Sequence, residues 1–61
     1  MNKKLLEIAI KYIEKGYSCE ALRCGDDLYD ASVEDIETCM SYYDEVQENG
    51  TKWAYKQLRD E

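Results

Sequence analysis

Apolar residues crowd the first fifteen positions at helical intervals: Leu5, Leu6, Ile8, Ala9, Ile10, Tyr12 and Ile13. That spacing predicts a helix from about Asn2 to Lys15. At 100° per residue the apolar side chains cover about 200° of its circumference, wider than the ~100° stripe of a one-sided surface helix. Such a helix is either the central element, packed on two sides, or it keeps a spare arc for a second subunit. The second option makes Leu6, Ile10 and Ile13 the expected interface of a homodimer.

Ser18 is a good N-cap for a short helix ending near Cys24, with Ala21 and Leu22 turned inward. Asp26 to Ala31 reads as a polar connection. Ser32-Val33-Glu34-Asp35 resembles a loose capping box, with Asp where Glu or Gln is preferred. From there Val33, Ile36, Met40, Tyr43 and Val46 step by three or four, which predicts a third helix and its inward line. Asn49-Gly50 stops it, and Thr51 can cap a last helix carrying Trp53, Ala54, Tyr55 and Leu58. Gly16, Gly25 and Gly50 each follow a helical stretch, where a C′ glycine is expected.

No stretch alternates with period two for long enough to make a strand. The expected fold is all-α: one domain over residues 1–61, built as a small bundle of three to four short antiparallel helices. A chain of 61 residues buries only about 60% of its unfolded surface, so the core is thin. No run approaches 18 apolar residues, and no membrane span is expected.

Charge changes the picture. Between Arg23 and Lys52 there is no basic residue, while Asp26, Asp27, Asp30, Glu34, Asp35, Glu37, Asp44, Glu45 and Glu48 fall in the same interval. The two ends are slightly basic, so the formal net charge of −6 is a segregated field. On a wheel of the third helix, Glu34, Glu37, Asp44, Glu45 and Glu48 lie together, opposite the apolar line, interrupted by Ser41. Like charges at i,i+3 and i,i+4 each cost a few tenths of a kcal/mol, and no Lys or Arg on that helix relieves them. A face serving solubility alone usually mixes signs. Either the lysines of the first helix and Lys52, Lys56 and Arg59 of the last neutralise the row, or it is presented to a basic surface elsewhere.

Six tyrosines and one tryptophan, with no phenylalanine, favour rings that sit half wet at interfaces. Tyr17, Tyr29 and Tyr42 are the candidate contact rings, Tyr42 as the flank of the acidic row.

Other chemistries fit less well. Asp26 to Glu37 can be laid on a twelve-residue calcium loop, but Leu28 and Ala31 stand where an oxygen ligand and a glycine are needed. Ala21 and Gly25 have helix-turn-helix spacing, yet the following helix would bring carboxylates to phosphates. Without histidine, a glycine-rich phosphate loop or a nucleophile with an activating partner, no catalytic residue, metal site or cofactor is expected. Three cysteines, Cys19, Cys24 and Cys39, are an odd number that fits a reducing, cytoplasmic setting and ordinary packing.

The expected role is therefore that of a small acidic protein-binding protein, not an enzyme. Glu34, Glu37, Asp44, Glu45 and Glu48, flanked by Tyr42, would occlude a basic, nucleic-acid-handling site on a partner protein, with no direct nucleic-acid contact. Small acidic chains of this kind are typical of phage or mobile-element factors directed against host enzymes. The competing expectation is an antitoxin-like or adaptor homodimer that binds through apolar helix faces, its carboxylates serving solubility alone.

Overall fold

The computed structural model describes residues 2–60; Met1 and Glu61, the ends of the expected domain, lie outside the described residues. Those residues form four α-helices and no strand, so the fold is all-α. The helices are α1 (Lys3–Glu14), α2 (Cys19–Cys24), α3 (Val33–Asn49) and α4 (Thr51–Asp60), with a 3-10 turn at Asp26–Leu28 between α2 and α3.

Local chemistry sets the boundaries. The Asn2 side chain accepts from the Leu5 N–H at 3.2 Å and opens α1. Ser18 and Ser32 do the same for α2 and α3, accepting from the N–H groups of Ala21 at 3.1 Å and Asp35 at 3.2 Å. Helix α1 closes in a Schellman motif: Tyr17 N–H donates to the Tyr12 carbonyl, Gly16 N–H donates to that of Ile13, and Gly16 takes a φ of +79°. Between α3 and α4 the chain turns at Gly50 alone, at a φ of +93° that a side chain would strain.

Gly25 departs from expectation. Its backbone is extended, at φ −75° and ψ 164°, so it is no left-handed helix stop. A Cβ there would run into the Tyr12 hydroxyl. The glycine is required by the close approach of a ring from another helix, not by its own turn.

Helix α1 is the central element. One side carries Leu5, Ile8, Ala9 and Tyr12 against Leu22, Leu28, Cys39 and Tyr43. The other carries Leu6 and Ile10 against Val46 and Ala54, with Trp53 and Leu58 packed alongside. Ile13 and Tyr42 touch both clusters and join them. The 200° apolar arc is thus consumed within the chain. Leu6 is 0% exposed and Ile10 2%, so these two residues of the expected dimer interface pack inside the single chain, and Ile13 is half-buried beside them.

Helices α1 and α3 are tied together near both ends of α1. Asn2 and Tyr17 flank the two ends of α1, which at 12 residues is roughly 18 Å long. They nevertheless meet adjacent residues of α3. The Asn2 N–H donates to the Tyr42 hydroxyl at 3.0 Å, and the Tyr43 hydroxyl donates to the Tyr17 carbonyl. Two further corrections concern what faces inward. Leu28, read as part of a polar connection, is 2% exposed at the floor of the larger cluster. Val33, placed on the inward line of α3, is 73% exposed, and Cys39 takes a buried place in its stead.

Ile10→Asp places a carboxylate in the smaller cluster, whose other buried members Leu6, Val46 and Ala54 are apolar. Its cost exceeds the roughly 3–5 kcal/mol that a core of this size typically supplies. The expected outcome is loss of the helical circular-dichroism signal at room temperature. A dimer-seam role for Ile10 would instead leave a folded monomer.

Candidate acidic interface

Seventeen residues and a serine cap make α3 the longest helix, and Cys39, Tyr43 and Val46 anchor its inner side against α1. With that side pinned, Glu34, Glu37, Asp44, Glu45 and Glu48 project outward, and all five are exposed. Glu34 and Asp35 sit in the first turn, where the positive end of the helix dipole favours them. Toward the other end the sign is wrong. Glu48 lies in the last turn, which holds no basic residue, and Glu45 lies one turn before it. The last carbonyls are helped instead by Asn49, whose side-chain amide donates to the Glu45 carbonyl at 2.9 Å.

Among the described residues, no lysine or arginine of the other helices forms an ion pair with this row. Among the described residues the one ion pair is Lys11 to Asp27, at 3.0 Å, and it joins α1 to the 3-10 turn. The Asp27 carboxyl is held below its usual range by hydrogen bonds from Lys11 and from the Tyr12 hydroxyl. Lys11 is raised in turn by the hydrogen bond to Asp27. This pair lies beside the site and does not cancel it.

The acidic surface is broader than the row alone. Glu34, Asp35, Glu37, Thr38 and Ser41 line a shallow depression of about 500 Å³ on α3. Asp35 also borders a second groove, of about 390 Å³, together with Asp26, Asp27 and Asp30. Asp35 therefore links the helix face to the carboxylates of the 3-10 turn, a continuity that a wheel of one helix does not contain. Lys4 stands on the rim of that second groove. The segment comparable to a calcium loop folds as the 3-10 turn, with Leu28 in the core, and from Val33 as the first turn of α3; no group of three possible metal ligands comes together among the described residues.

The aromatic rings divide differently from the expectation. Tyr42, the expected flank of the row, is half-buried, packs against both clusters and accepts from the Asn2 N–H, so it also acts as a structural strut. Tyr17 is exposed, with its ring tilted against Tyr12 at 5.4 Å between centroids. Tyr29, 83% exposed beside Asp30, is the ring most open to a partner. Tyr55 is exposed too, but its hydroxyl donates to Glu14 at 2.8 Å and ties α4 to α1.

The thiols have separate environments. Cys39 is buried and donates to the Leu5 carbonyl at 3.3 Å; burial pushes its pKa up to about 11. Burial raises Cys19 as well, and Cys24 is exposed. No family model, curated protein or solved structure matches this chain.

Two outcomes follow from the geometry. Because the Asp27 carboxyl is depressed in the folded state, its pairing stabilises the fold above the ordinary carboxylate pKa of 3.8 and is lost as pH falls through the folded value. Urea unfolding should therefore find Asp27→Asn less stable than the parent near neutral pH, with the gap closing in acid. A gap independent of pH would rule out the ionic contribution. Titration with a thiol reagent near neutral pH should modify Cys24 first and Cys39 only after denaturation, since the thiolate is the reactive form. Equal rates at the two sites would mean that the core opens readily.

Proposed function

We propose that this protein binds a basic surface on a partner protein through the outer face of α3 and thereby occludes it, acting as a nucleic-acid mimic. The observation that carries the reading is the run of five exposed carboxylates on one helix face, without a cation within ion-pairing distance among the described residues. The run continues against the helix dipole at its C-terminal end. Repulsion along the row and the unfavourable dipole both cost stability, and a polar surface of mixed sign would avoid both. Such a row makes physical sense when an opposing cationic surface relieves it.

The chemistry of the encounter follows. Sites that grip nucleic acid neutralise phosphates with Lys and Arg, and a rigid array of carboxylates competes for those cations. The partner would be steered in by the long-range field, so association would be fast at low ionic strength and fall steeply with salt. Glu34, Glu37, Asp44, Glu45 and Glu48 are the contact residues of this reading. Asp35 extends them toward Asp26 and Asp30, and Tyr29 supplies an aromatic edge.

The test is capture from lysate at low and high salt, followed by competition for nucleic acid on the protein recovered. The parent chain should release its partner as salt rises and should displace nucleic acid from it. The double variant Glu37→Lys/Glu45→Lys, both positions exposed, should fold normally yet lose capture by well over tenfold. Undiminished capture by that variant would reduce the acidic face to a solvated surface.

A further inference from the structure

Beside the acidic row lies a groove of about 310 Å³ between α2 and α3, lined by Arg23, Val33, Ile36, Glu37 and Met40. Its floor is apolar: Val33 is 73% exposed, and Ile36 and Met40 are half-buried. These three stand at i, i+3 and i+7, so they form one continuous strip along α3. One wall is the acidic side of α3, where Glu37 and Asp44 adjoin Met40 at i−3 and i+4. The opposite wall is Arg23, from the last turn of α2. An apolar strip running beside a row of carboxylates is not accounted for by electrostatic occlusion alone.

We propose that this groove receives an amphipathic α-helix of the partner, with an apolar ridge seated on Val33, Ile36 and Met40 and basic residues along the flank that faces Glu37 and Asp44. The inference rests on the occlusion reading and specifies the partner's surface as helical, part apolar and basic on one side. Three features argue for that occupant. The walls carry opposite charge, so a complementary partner has its cations on one flank only. The described residues offer no strand edge, so an extended peptide would have no backbone to pair with, whereas a helix satisfies its own. A second copy of this chain docked by this same face would set its own carboxylate row against the row here.

The test uses three synthetic peptides of equal charge against the full chain. One is a helix of about four turns with a leucine ridge and lysines along one flank. The second has the same composition in shuffled order, and the third is oligolysine. Calorimetry gives the affinities, and amide chemical shifts locate the contact. The ridged helix should bind about tenfold tighter than either control and shift the amides of Val33, Ile36 and Met40. The surface variant Val33→Gln/Met40→Gln should erase that advantage while leaving oligolysine binding and the helical signal unchanged.

Equal affinity for all three peptides, or shifts confined to another face, would overturn the groove while leaving charge-driven binding intact. Failure of oligolysine and the ridged helix alike would remove the occlusion reading along with it. Concentration-dependent self-association that shifts the same three amides would make a second copy the occupant and overturn the proposal.

Discussion

Two-sided burial of α1 is the constraint from which the remaining packing follows. A chain this short has too little interior for two independent cores. Here one helix serves both: Leu5, Ile8, Ala9 and Tyr12 face α2, the 3-10 turn and α3, while Leu6 and Ile10 face Val46 of α3 and Ala54 of α4. Ile13 and Tyr42 bridge the two clusters, so loosening either side exposes the other. Helix α3 contributes to both clusters, with Cys39 and Tyr43 on one side and Val46 on the other.

That arrangement also decides what remains for a partner. With α1 enclosed, its broad apolar arc is packed within the chain. Among the described residues the exposed large apolar side chains are Tyr17, Tyr29, Val33 and Tyr55, none of them on α1. Charge repulsion along α3 is tolerated because Cys39, Tyr43 and Val46 hold the helix from beneath, and most helical stability in folded proteins comes from such packing. Held in this way, α3 keeps its carboxylates together on one outward face.

The Lys11–Asp27 pair and the contact of Tyr12 with Gly25 show a second kind of economy. Tyr12 packs its ring in the core, abuts Gly25 after α2 and, after Lys11, helps hold the Asp27 carboxyl below its usual range. One side chain thereby touches both ends of the link from α2 to the 3-10 turn.

Much of this could be read from the chain, and the division follows the range of the forces. Helix spans, the caps at Ser18 and Ser32 and the stops at Gly16 and Gly50 depend on neighbours within four residues, so the order of residues suffices to place them. The exposed carboxylate row of α3 was legible for the same reason, because helical periodicity alone puts those side chains together. Folding in three dimensions assigned the rest. It packed Leu6 and Ile10 of α1 into the core, drew Leu28 and Cys39 inside, and turned Val33 out. It also used Tyr42 as a strut and required Gly25 for a ring twelve or more residues away. Each of these outcomes depends on which distant surface a residue meets, and a one-dimensional pattern carries no record of that meeting.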